Sequence, residues 1–154
     1  MSRPVLLLLS GPNLNLLGER EPEIYGTDSL LDHVRSARNR AGELGFDLEH
    51  LQSNHEGKLI DAIHGARHRI EAIVINPGAL THYAWSLHDA LAAYDGPVIE
   101  LHLSDPSTRE PWRQVSVVEP VADATVAGKG GAGYIEAVEI AIGLATEISR
   151  SQDD

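Results

Sequence analysis

Residues 5–9 are apolar at every position, with no polar residue to mark an outer face. A strand of that kind is buried on both sides, as strands of parallel sheets are. Residues 72–75 form a shorter run of the same sort, and residues 98–103 read as a fourth strand. Residues 46–52 alternate imperfectly, with Phe46, Leu48 and Leu51 apolar, which suits a strand at a sheet edge. A short further strand is expected near residues 125–127. Between these runs the apolar spacing turns helical. Leu30, Leu31, Val34, Ala37 and Ala41 predict one inward stripe of a helix ending near residue 44, with Thr27 or Asp28 as cap and Gly45 as stop. Leu59, Ile60 and Ile63 predict a helix over residues 56–68. A third helix is expected from Thr81 or His82 to about residue 93, and a last one over residues 132–148.

Strands alternating with helices predict an open, doubly wound α/β sheet. One domain over residues 1–150 is expected, with residues 151–154 as a frayed acidic tail. In such sheets ligands bind beyond the carboxyl ends of the strands. Those ends read SGPN, QSN, NPG and HLSD, and all are polar. The loop after the first strand, GPNLNLLGEREPEIYG over residues 11–26, is long for a compact domain, and such loops tend to carry function. Asn13 and Asn15 donate and accept hydrogen bonds, Arg20 is always cationic, and Tyr25 can donate, accept or ionise. In the fourth strand, period two puts Glu100 and His102 on one face, where a carboxylate can orient a histidine for acid–base work. Arg109 and Arg113, four apart, follow that strand. Beside Arg20 and Tyr25 they could form a cationic pocket for a small carboxylate.

The formal net charge of -11 argues against nucleic acid as a partner, since phosphate binding needs a basic face. The chain has no cysteine, which excludes thiolate catalysis and cysteine-ligated zinc. The opening MSRPVLLLLSGP looks superficially like a signal peptide. Its apolar stretch is too short, however, and Gly-Pro-Asn stands where a cleavage site should be. No apolar run reaches the length of a membrane span, and a cytoplasmic protein is expected.

Two motifs invite other functions. GKGGAG over residues 128–133 matches the glycine pattern of dinucleotide-binding turns, but it precedes the last helix and no strand follows. A turn built for close packing is expected instead, with no cofactor. His64 and His68, four apart on one predicted helix, could ligate a metal, but no third ligand is suggested. No metal site is expected.

The blocks GPNLNLLGEREPEIYG, QSNHEGKLIDAIH, INPGALTH, DAL, PVIELHLS and REPWR together resemble the type II 3-dehydroquinate dehydratases. The resemblance implies a flavodoxin-like fold with a five-stranded parallel sheet, trimers assembled as a dodecamer, and the small-molecule substrate 3-dehydroquinate. It implies reversible anti dehydration to 3-dehydroshikimate through an enolate, without metal or cofactor, in the shikimate pathway or quinate catabolism. Tyr25 resembles the family's base. A phenol ordinarily ionises near ~10, so it needs a cationic partner, and Arg20 resembles that partner. Asn13 resembles the residue that stabilises the enolate through a water. His102, oriented by Glu100, resembles the acid that releases the hydroxyl as water. Asn76, His82, Ser104, Arg113 and the backbone at Leu103 resemble the substrate-holding groups, with Asp89 reaching in from a neighbouring subunit. Tyr83, Ala84, His88 and Asp105 depart from the family's usual residues. A catalytically silent homologue that binds a related polyol carboxylate is the second reading. A pure binder needs neither base nor acid, so the set Asn13, Arg20, Tyr25, Glu100 and His102 favours the lyase.

Overall fold

A computed structural model describes residues 2–153. Five strands, β1 (Val5–Ser10), β2 (Asp47–Gln52), β3 (Ala72–Asn76), β4 (Val98–Leu101) and β5 (Ala124–Val126), form one sheet in the order β2-β1-β3-β4-β5. Every pairing is parallel. This is the flavodoxin-like order, in which the chain reverses direction across the sheet between β1 and β3. β2 lies at the edge, as its weak alternation predicts.

The uninterrupted apolar run of β1 divides by parity. Leu6 and Leu8 join the core beneath α2 (Leu30–Glu43) and α5 (Ala132–Asp153), while Leu7 and Leu9 face α3 (Glu56–Ala66) and α4 (Trp85–Ala92). Each face is therefore covered by two helices, which is why residues 5–9 of this strand are all apolar. A further short helix, α1 (Pro22–Tyr25), lies in the loop after β1.

Several expectations are corrected. The cap of α2 is Ser29, whose hydroxyl accepts from Asp32 N while Asp32 accepts from Ser29 N. This reciprocal box outcompetes Thr27 and Asp28. Leu31 is 70% exposed rather than inward. The buried stripe runs through Leu30, Val34, Ala37 and Ala41, and its flank is taken by His33, stacked on Tyr134 at 4.8 Å. α3 ends at Ala66, so His64 and His68 do not share its face, and His68 takes a left-handed φ of 65°. Residues 78–82 form a 3₁₀ turn and α4 begins only at Trp85, because Thr81 and His82 are held by partners elsewhere in the chain. β4 stops at Leu101, one residue before His102. α5 continues through Asp153, with residues 151–153 helical. Asp154 lies outside the described residues.

The GKGGAG turn packs closely. A β-carbon on Gly131 would lie 2.7 Å from His33 Cε1, and that ring cannot retreat from its stack on Tyr134. Gly131→Ala should therefore cost about 1–3 kcal/mol in urea unfolding. In a His33→Ala background the same change should cost much less, a coupling that a double-mutant cycle reads directly.

Candidate active site

The floor of the site is the switch point between β1 and β3. Gly11 N donates to Asn76 O at 2.8 Å. The two segments lie so close that a β-carbon on Gly11 would sit 2.6 Å from the Pro77 carbonyl carbon. Asn13 then adopts a left-handed φ of 69°, an unusual conformation for a residue with a β-carbon. It is held there by Asn54, whose Oδ1 accepts the Asn13 N–H at 3.0 Å. Gln52 Nε2 donates both to Gly11 O and to that same Asn54 oxygen, at 3.2 and 3.1 Å. The polar end of β2 thus clamps the loop that presents Asn13.

Leu14 and Leu17 anchor the loop in the core, and the chain then turns through Glu21 into α1. Tyr25, at its last position, is half-buried. Its hydroxyl meets Arg109 Nη1 at 2.7 Å. The Arg20 guanidinium instead lies 5.1 Å from the Tyr25 ring centroid and pairs with Glu21 at 3.4 Å. The expected arginine stands beside the ring, and the hydroxyl contact belongs to Arg109. From sequence, Arg109 is expected only as a pocket cation beside Arg113. Its spacing from Arg113 was the only signal it left in the sequence.

Glu100 is 1% exposed, on the β4 face that packs against the segment carrying Thr81. His102 Nε2 lies 2.6 Å from its Oε2, Thr81 Oγ1 lies 2.7 Å away and Ser116 Oγ 2.8 Å. Burial alone would push this carboxyl up. The His102 hydrogen bond and charge, then the Thr81 and Ser116 hydroxyls, more than offset it and hold the carboxyl below the ordinary carboxylate range. An ionised carboxylate only accepts, so Nε2 carries a hydrogen and Nδ1 is the nitrogen left for chemistry. Although β4 ends before His102, the two side chains meet as period two predicts. Thr81 and Ser116 carried no signal in the sequence, because small hydroxyls are common and their partner lies 19 and 16 residues away.

These groups converge on one cleft of about 220 Å³. Asn13, Arg20, Tyr25, Asn76, His82, His102, Leu103, Ser104 and Arg113 all line it, together with Arg109. Glu100 lies behind His102. Asp89 is exposed on α4 and is not part of the lining. The lining has three arginines and no carboxylate, although Arg20 and Arg113 also pair with Glu21 and Glu110 just outside it, so the cleft presents cations in a chain of net charge -11. His82 Nδ1 donates to Val115 O at 2.6 Å, leaving Nε2 free for a ligand. Lys129, paired with Glu136, is outside the cleft.

Fold and site together define an α/β protein of flavodoxin-like order, with a carboxylate-backed histidine opening on an arginine-lined cleft at the carboxyl edge of its sheet. Residues 4–142 match the family described as Dehydroquinase class II, and the chain belongs to that family. It is 50% identical over 134 residues to a 3-dehydroquinate dehydratase of Herpetosiphon aurantiacus, covering 87% of this chain and 93% of that protein. It is also 50% identical over 136 residues to a catabolic 3-dehydroquinase of Phaeosphaeria nodorum, covering 88% and 90%. The crystal structure of type II dehydroquinase from Butyrivibrio crossotus superposes with a TM-score of 0.88 at 41% identity, covering 91% of this chain and 98% of that one.

Glu100→Gln would set an amide NH₂ against donors that need an acceptor, and should cost roughly 1–3 kcal/mol near neutral pH. The folded-state pKa of Glu100 is depressed, so its stabilisation is present above the unfolded value and is lost as pH falls through the folded one. The stability gap between wild type and variant should hold at neutral pH and close only below about pH 4. Urea unfolding across pH measures this.

Proposed function

We propose that this chain catalyses the reversible anti dehydration of 3-dehydroquinate to 3-dehydroshikimate, in the shikimate pathway or in quinate catabolism. The observation that carries the reading is the shared cleft. An arginine-flanked tyrosine and a carboxylate-backed histidine line one cationic pocket, in a chain about half identical to dehydratases of that name. The Tyr25 phenolate takes the proton from the carbon beside the ketone. Arg109 Nη1 donates to its oxygen at 2.7 Å, and the Arg20 guanidinium lies 5.1 Å from its ring centroid. The enolate that forms is stabilised near Asn13. The β-hydroxyl then leaves as water with a proton from His102. Arg113, His82, Ser104 and Asn76 hold the substrate carboxylate and hydroxyls. Leu103 gives its carbonyl to Gly130 N, so its N–H is the group it offers to the substrate. A cytoplasmic location fits this chemistry.

The active unit is a trimer or a multiple of it, with a dodecamer as the full assembly. Tyr83 and Trp85 support this reading, since they are 65% and 62% exposed beside Asp89 rather than packed within the chain. Burying aromatics of this kind at a subunit contact is favourable. Asp89 then reaches the neighbouring chain's cleft.

Adding 3-dehydroquinate should produce enone absorbance, in EDTA and without inactivation by borohydride. Inactivation by borohydride with substrate present would indicate a Schiff base and defeat the enolate route. Tyr25→Phe should lower kcat by roughly 10²–10⁴-fold with ligand binding kept; retention of kcat within tenfold would refute the assignment. Arg20→Ala should lower kcat more than it raises KM. Sedimentation should show trimers or larger, and Asp89→Ala should weaken substrate binding and assembly together. A fully active monomer at low concentration would contradict the shared site.

A further inference from the structure

The hydrogens around Glu100 can be assigned one by one. Ser116 Oγ accepts from the Val118 and Glu119 N–H groups at 3.2 and 3.0 Å, which occupies both its lone pairs. Its own hydrogen has two acceptors in reach, Thr81 Oγ1 at 2.9 Å and Glu100 at 2.8 Å from Oε2 and 3.1 Å from Oε1, and the shorter, charge-assisted contact to the carboxylate takes it. Thr81 Oγ1 lies 2.9 Å from Ser116 Oγ, but that oxygen has no acceptor capacity left, so the Thr81 hydrogen also goes to Glu100 at 2.7 Å. His102 is the titratable group against this carboxylate. The nearby His82 is turned away to Val115 O.

Two arrangements of the last proton compete. In one, Glu100 is anionic and His102 is a full imidazolium, able to give up its Nδ1 proton. In the other, the proton has crossed to Glu100, and His102 is a neutral imidazole whose N–H is a very weak acid. Two hydroxyl hydrogens aimed at the carboxylate stabilise the first arrangement, because a protonated carboxyl loses acceptor capacity where both need it.

We propose that Thr81 and Ser116 are positioning residues that keep the proton on His102 rather than on Glu100, and so keep the acid of the reaction loaded. Neither touches the cleft; both act through Glu100. The kinetic consequence rests on the dehydratase reading, whereas the placement of the proton does not.

The test uses Thr81→Val and Ser116→Ala, with Thr81→Ser as the conservative rescue. Imidazole ¹⁵N and ¹H spectra of the ligand-free protein follow the hydrogen bond from His102 Nε2 to Glu100 during acid titration. In Thr81→Val and Ser116→Ala the ionic form should be lost at a proton concentration roughly tenfold lower than in wild type. The low-pH limb of kcat should move upward with it, and kcat near neutral pH should fall roughly tenfold with KM kept within about threefold. Thr81→Ser should restore both readouts. Ser116→Ala, in a half-buried loop position, carries the test if Thr81→Val does not fold. Unchanged His102 spectra and an unchanged low-pH limb in a folded variant would overturn the proposal. Shifted spectra in a protein that does not turn over 3-dehydroquinate would support the proton placement and sink the dehydratase reading instead.

Discussion

A carboxylate taken out of water must find donors for its lone pairs or give up its charge. Glu100, almost wholly buried, finds three donors on three different segments. That demand shapes the structure around it. Thr81 is drawn out of the helix its sequence predicts, which leaves a 3₁₀ turn and delays α4 to Trp85. The irregular stretch after β4 is folded back until Ser116 reaches the carboxylate, and the return is secured by Val117 N donating to Thr81 O at 2.7 Å. With its acceptor fixed, His102 has one orientation, and the nitrogen not bonded to Glu100 is left for the cleft.

The other half of the site is organised by backbone conformation rather than by a buried charge. The close approach of Gly11 to Pro77 sets where the loop after β1 leaves the sheet, and the amide clamp of Gln52 and Asn54 holds Asn13 in its left-handed turn. Further along, Tyr25 is secured by Arg109, which comes from the irregular segment beyond β4. That segment therefore serves both halves: Arg109 meets the tyrosine, and Ser116 supports the histidine through Glu100. The tyrosine side and the histidine side of the cleft both depend on one stretch of chain with no regular strand or long helix.

Periodicity carried most of the fold. The unbroken run in β1 reports burial on both faces, and the polar strand ends mark the sheet edge where the cleft lies. Glu100 and His102 were readable because a strand's period of two places them on one side. What periodicity could not show were partners distant in sequence. Arg109 looked like one more surface arginine, and Thr81 and Ser116 like ordinary hydroxyls. Leu31 fits the apolar stripe by sequence yet stays exposed, while His33, stacked on Tyr134, takes the buried flank. The start of α4 differs from the helical spacing near Thr81 and His82 for a related reason, since the partners of those two side chains outweigh it.

Under the proposed function, separate groups on separate elements, Tyr25 on α1 and His102 after β4, handle the two protons of one elimination. Running the reaction backward in D₂O tests this most directly. Hydration of 3-dehydroshikimate should place a single deuterium on the carbon beside the ketone, on the face opposite the incoming hydroxyl, as NMR of the product can show. Deuterium on the same face as the hydroxyl would mean that one group serves both proton transfers, and would contradict the account.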